Sequence, residues 1–297
     1  MKNITLTFLF CLLFVVPIQA QDYAQLMELK GYSMPVYISK GQEEAGREIA
    51  ALCDRAKIYM EERVAGFSPK VTLLILSPDD WPGFANMPVI YGMPHNSRNN
   101  TLVVAAKDNP FWQSQMPPAE IVPAELREAY TETYTTDEGI LSGKAFFNLL
   151  AIHELGHAFR LQGNLSKPRF WLDELFCNMI KHTIIAEIAP ELLPANDLLP
   201  EIVVGFGSAK YAYTTLEQFE ASYEIIARTA PQNYGWYQLG FDVAAKKIYD
   251  AGGLKALQSI WNALKNSQEV MSDEELLSML RGKTHPKVAE MVENWNN

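Results

Sequence analysis

Positive charge is scarce in this chain: 25 Lys and Arg stand against 35 Asp and Glu, for a formal net charge of −10. That balance argues against nucleic acid or an anionic membrane surface as the main partner, because both need concentrated basic residues. Low-complexity tracts and internal repeats are missing, which sets aside disordered and solenoid classes. Cysteine is rarer still, with three residues in 297, one of them Cys11. What is abundant is apolar: 48% hydrophobic and 20% charged residues, the balance of a chain that buries a large core.

The first twenty residues form a unit of their own. Lys2 supplies a positive start, Ile4 to Val16 is an apolar run of 13, Pro17 breaks it, and Ala20 offers a small residue before Gln21. A bilayer span needs about 20 apolar residues, so this pattern is that of a signal peptide over residues 1–20. The mature chain is therefore expected to be exported, to the periplasm or the extracellular space. Cys53 and Cys177 remain after removal. An oxidising compartment would permit a bond between them, but each falls on an apolar helix face, where free Cys behaves as a small hydrophobe. The unpaired state is preferred.

Val36 to Ser39 is a short strand candidate, followed by a helix over Gln42 to Val64 whose Ile49, Leu52, Cys53, Ala56, Met60 and Val64 recur at helical spacing. Val71 to Leu76 is a buried-strand signal. Val89 to Tyr91 and Thr101 to Ala106 are two more strands, with His95 to Asn100 as the hairpin loop between them. Residues 108–143 are rich in Pro, Glu and Thr with poor periodicity, and are expected as an irregular insertion with a little helix around Pro123 to Tyr130. From Lys144 onward the pattern is almost wholly helical. The expected class is α+β: an N-terminal α/β subdomain over 21–143 and a helical subdomain over 144–297.

Residues 153 to 157 read His-Glu-Leu-Gly-His inside the apolar helical run Phe146 to Leu161. Positions i and i+4 share a helix face, so His153 and His157 can reach one ion, while Glu154 can take a proton from a water held there. Such a site fits zinc, which needs a third protein ligand and leaves a fourth position open. Two adjacent acids follow in Trp171-Leu172-Asp173-Glu174, at the start of a second apolar helix that can fold back on the first. Either Asp173 or Glu174 would then face the ion. His95, His182 and His285 are read as structural or solvent-facing.

HELGH followed by WLDE resembles the gluzincin zinc peptidases, and among them the aminopeptidase N family, with its HExxH and later WLNEG. The resemblance implies a zincin-like fold with zinc on His153, His157 and Glu174, Glu154 as general base, and a peptide substrate lying along an edge strand, Thr101 to Ala106. It also implies an oxyanion-stabilising Tyr237, in Tyr237-Gln238-Leu239-Gly240, which is similar to that family's YxKG and lies 63 residues after Glu174. Departures are visible: 16 residues separate His157 from Glu174, two fewer than usual, Asp173 replaces Asn, Leu175 replaces Gly, and Leu239 replaces Lys. The segment Gly92-Met93-Pro94-His95-Asn96 lacks the acid that would hold a substrate amino terminus, so aminopeptidase specificity is not carried over. Two other functions remain open at this point: a zinc hydrolase of non-peptide amides or esters, and a non-catalytic zinc-containing binding protein.

Overall fold

A computed structural model of the chain describes residues 23–85, 90–97 and 99–295. The expected signal segment and Val89 lie outside the described residues. The architecture is α+β: a small mixed sheet of five strands followed by a mostly helical remainder. The strands are β1 (Met27–Leu29), β2 (Val36–Ile38), β3 (Thr72–Leu76), β4 (His95–Ser97) and β5 (Thr101–Ala105), arranged in the order β1-β2-β3-β5-β4. β2, β3 and β5 are parallel, and β1 and β4 close the two edges antiparallel. The parallel centre accounts for the unbroken apolar runs of β3 and β5, since strands covered on both faces need no polar alternation.

Helix α1 (Glu43–Met60) crosses between β2 and β3 and ends in one wider turn, Glu61–Ala65, capped by Gly66 at φ 71°. Short α2 (Trp81–Phe84) and α3 (Pro110–Gln115) flank the last two strands, and α4 (Ala124–Tyr134) leads to α5 (Lys144–Phe147). The helical remainder comprises α6 (Leu150–Gln162), α7 (Phe170–Ile188), α8 (Leu193–Gly205), α9 (Leu216–Thr229), α10 (Pro231–Lys265), α11 (Asp273–Lys283) and α12 (Pro286–Glu293). Helix α7 is the axle of the molecule. Every residue from Trp171 to Ile185 is buried, the polar ones among them included, so the helix is packed all round. It lies against α6, α9, α10 and α1, so one apolar core runs through the sheet and the helical section alike.

Four expectations need correction. Ile90 and Tyr91 are not a strand; the Tyr91 hydroxyl is tied to the Leu76 carbonyl at 3.1 Å, which holds this stretch as a turn. The strand instead falls inside the expected loop, where His95–Ser97 pairs with Thr101–Val103 and the hairpin closes through Asn100 at φ 59°. That makes β5 an interior strand, and the edge belongs to β4, which lies beside α6. Residues 108–143 are also more ordered than their composition suggests. Trp112 stacks on Phe147 at 5.2 Å, Tyr130 donates to the Pro117 carbonyl and Tyr134 to that of Ala195, both at 2.8 Å. Buried aromatics with satisfied hydroxyls anchor a segment that has no helical periodicity to advertise it.

Candidate metal centre

The site forms where α6, α7 and α10 meet. Helix α6 carries His153 and His157 one turn apart, and α7 crosses it closely. A Cβ on Gly156 would lie 3.2 Å from Cys177 Sγ and 3.3 Å from Cys177 Cα. The glycine of His-Glu-Leu-Gly-His thus lets the two backbones approach, and a small residue answers it at position 177. That approach sets Glu174, one turn earlier on α7, opposite the two imidazoles.

His153, His157 and Cys177 form a group able to hold a metal ion. Glu174 lies beside the two histidines of that group. His153 Nε2 and His157 Nε2 are 3.2 Å apart, and Glu174 Oε2 lies 3.2 Å from the first and 3.7 Å from the second. A tetrahedral ion with bonds of about 2.0–2.1 Å needs neighbouring ligands about 3.3 Å apart, so this triangle has the right edge lengths. Cys177 Sγ sits on the opposite edge of the His157 ring, 3.3 Å from Nδ1. Asp173 is on that side too, with Oδ2 3.7 Å from His157 Nδ1 and Oδ1 2.6 Å from Arg160 Nε. Of the two adjacent acids, Glu174 faces the Nε2 pair and Asp173 orients a ring from behind.

The hydrogen bonds decide which atoms carry protons. His153 Nδ1 lies 3.0 Å from Asn178 Oδ1, Asn178 Nδ2 donates to Gln238 Oε1 at 3.2 Å, and Gln238 Nε2 donates to Glu174 Oε2 at 2.9 Å. Flipping both amides would press the Gln238 oxygen against the Glu174 carboxylate, two acceptors with no hydrogen between them. The chain therefore runs one way, and it places the His153 proton on Nδ1. His157 likewise turns Nδ1 toward Asp173 and Cys177. The Nε2 atoms of the two imidazoles and a Glu174 carboxylate oxygen therefore converge at 3.2–3.7 Å, an arrangement that a cation would satisfy.

Without a metal, that cation is a proton. Burial pulls the His157 pKa down, but the Cys177 and Asp173 groups more than offset it and hold it well above the ordinary value. Burial would raise Glu174, yet its contacts with His153 and His157 keep it well below the usual carboxylate range. Burial pushes the Cys177 thiol up to about 12, so it stays protonated beside the ring. Glu174 has one further partner: the Tyr223 hydroxyl donates to Oε1 at 3.0 Å, with the Tyr223 ring stacked on Phe170 at 4.5 Å.

A cavity of about 160 Å³ opens beside the cluster, with His153, Glu154, Tyr234 and Gln238 in its wall. A wider pocket of about 570 Å³, bordered by α1, α4 and α5, contains none of the cluster residues. The smaller cavity is the relevant one because His153 and Glu154 line it.

Tyr237 is not brought to this place. It is fully buried, its hydroxyl donates to the Thr215 carbonyl at 2.8 Å, and its ring packs on Phe219 and Trp295. The tyrosine at the cavity is Tyr234, three residues earlier. The stripe Tyr234, Gln238, Asp242 at i, i+4, i+8 was the signal for it, a polar row along one face of α10. The other histidines stand apart. His182 is buried against Asn196 and Asp197, His95 packs edge-on to Trp81, and His285 caps α12. Cys53 and Cys177 are buried and unpaired. No protein-family model matches the chain, and comparison with curated proteins finds no match either.

Proposed function

We propose that the chain is a zinc-dependent hydrolase of the gluzincin type, acting on peptides. The observation that carries the reading is the convergence of the His153 and His157 Nε2 atoms and the Glu174 carboxylate at 3.2–3.7 Å beside a cavity bordered by Glu154. Zinc held by His153, His157 and Glu174 would supply a Lewis acid that lowers the pKa of a water toward ~7 and polarises a carbonyl. A short sheet edge, β4, beside the helix of the two histidines agrees with a zincin-like layout. The signal-type pattern of the first twenty residues supports export, to the periplasm or the extracellular space.

The protein's own groups divide the remaining work. Glu154 takes the proton of the attacking water at its carboxylate and returns it to the leaving amine. Tyr234, whose pKa is raised by burial and by the Glu174 charge, keeps its proton and can donate to the developing oxyanion. Asn178 and Gln238 hold His153 and Glu174 in orientation, and Asp173 does the same for His157. One observation favours a closed, structural site, namely Cys177 beside His157. Its sulfur faces Nδ1, however, with the ring between it and the Nε2 triangle.

The test is metal content together with turnover of a panel of quenched peptides and esters by the wild type and Glu154→Gln. We expect one zinc per chain in both proteins, and peptide hydrolysis reduced about 10²–10⁴-fold in the variant. Zinc absent from the wild type, or full activity in Glu154→Gln, would refute the reading. Hydrolysis confined to esters would move it to non-peptide substrates.

A further inference from the structure

The wider cavity, of about 570 Å³, opens between α1 and the stretch that runs from the end of α4 into α6. Helix α1 brings Glu48, Leu52 and Arg55 to it, at i, i+4 and i+7 and so on one face of the helix. The opposite wall is α5 and its continuation, and there the chain divides two spaces. Lys144, Ala145, Asn148 and Leu149 border the wider cavity, whereas Phe146, Phe147 and Leu150 border the smaller one beside His153 and Glu154. The two cavities are neighbours through this wall and have no lining residue in common.

The wider cavity has an apolar floor. Ile49, Leu149 and Ala195 are buried in it, Leu52 and Leu192 are half-buried, and Tyr134 turns its hydroxyl to the Ala195 carbonyl and the Leu199 amide. Its mouth is polar, with Thr, Ser and Asn side chains and three charged residues: Glu48, Arg55 and Lys144. Among the described residues neither Arg55 nor Lys144 is in an ion pair or makes a side-chain hydrogen bond. Two cations against one acid leave a surplus of one positive charge over an apolar floor, in a chain of net charge −10. Apolar walls with a few polar groups, enclosing roughly 300–1,000 Å³, are the usual form of a small-molecule site.

We infer that this cavity is a second ligand site, separate from the metal centre, and that it takes a monocarboxylate with an apolar body, of which a medium-chain fatty acid is the simplest. The apolar body covers the floor and leaves water, and the carboxylate stays at the mouth with Arg55 and Lys144. One negative charge balances the surplus. A phosphate monoester carries nearly two, and the second meets Glu48. An amine of the same length meets two like charges. Neither zinc nor the hydrolase reading enters this inference.

The test is an NMR titration of the full chain, read at the methyl signals of Leu52, Leu149 and Leu192, with zinc present and again with a chelator. Hexanoate, octanoate and decanoate should bind in rising order, by up to about fourfold for each CH₂ that leaves water. Decanoate should bind about tenfold more tightly than decylammonium, the worth of two exposed ion pairs, and also more tightly than decyl phosphate. Arg55→Gln/Lys144→Gln should level decanoate and decylammonium; both side chains stand at the mouth, so the fold is not at stake. Ala51 is exposed on α1 and borders the cavity, so Ala51→Trp should fill the space and weaken decanoate at least about tenfold. Unmoved methyl signals, decylammonium or decyl phosphate binding as tightly as decanoate, or undiminished binding in Ala51→Trp would each overturn the site. Decanoate binding that vanishes with the chelator would overturn it too, because the carboxylate would then be held by the metal.

Discussion

Helix α7 buries two polar clusters a turn or two apart, and they are settled in opposite ways. In its second half, Lys181 meets Asp242 and His182 meets Asn196 and Asp197, so charges and most donors find internal partners. In its first half, Glu174 faces the Nε2 atoms of two imidazoles, one of which turns its other nitrogen to Asn178. Both clusters are buried among apolar side chains. The difference teaches that burial of ionisable groups says little by itself, whereas the count of donors against acceptors tells a self-contained ion pair from a place awaiting a cation.

The comparison is broken most severely at Lys181. Replacing it by Met leaves Asp242 buried and unpaired, and chemical denaturation should show a loss of about 3–5 kcal/mol, whereas Lys181→Met/Asp242→Leu should fall near the wild type. Equal losses in the two variants would mean that the pair is not an electrostatic unit. The two tyrosines of α10 come next. Tyr234→Phe should lower kcat about 10²–10³-fold with zinc content unchanged, while Tyr237→Phe should keep kcat and cost about 1 kcal/mol of stability through the lost hydrogen bond to the Thr215 carbonyl. The reverse pattern would return the role to Tyr237.

Asn178 sharpens the contrast in a different currency. Asn178→Ala frees His153 Nδ1 and interrupts the chain to Gln238, so zinc affinity measured by chelator competition should fall about 10–100-fold. An unchanged affinity would show that the ring is held by packing alone.

The smallest effect is on pH. His157 is held above its ordinary 6.5 in the metal-free protein, so its proton contributes stability that is fully present below about 6.5 and lost as pH rises through the raised value. Glu174 is held below its ordinary 4.5, so its contribution is present above about 4.5 and lost as pH falls through the lowered value. From this pair alone, the metal-free form is steadiest between those two values. The Tm gain on adding zinc should therefore widen from mildly acidic to mildly alkaline buffer, and a constant gain would show that no proton is displaced.

Much of this site was legible before any coordinates, and the reasons are local. His153 and His157 are one turn apart on one helix, so their shared face follows from the spacing alone. Glu174 was distinguishable from Asp173 only through a resemblance, because which of two adjacent residues faces inward depends on how α7 is rotated where it crosses α6. Tyr234 was missed for a related reason. The choice between residues 234 and 237 is nearly a full helical turn, and it is settled by the capture of Tyr237 by Thr215, a contact made across 22 residues. Strand β4 was hidden because His95, Asn96 and Ser97 have no strand propensity of their own, and they become a strand by pairing with β5.

The contact between Gly156 and Cys177 has a consequence for which ions are admitted. With two backbones pressed together at one point, the helices cannot spread to suit a guest, and the opening between the imidazoles and the carboxylate acts as a caliper set by main-chain sterics. On the zinc reading proposed above, two imidazole nitrogens held at that gauge suit bonds of about 2.0–2.1 Å, whereas a calcium ion, which prefers six or more oxygens, would be disfavoured by the nitrogen ligands.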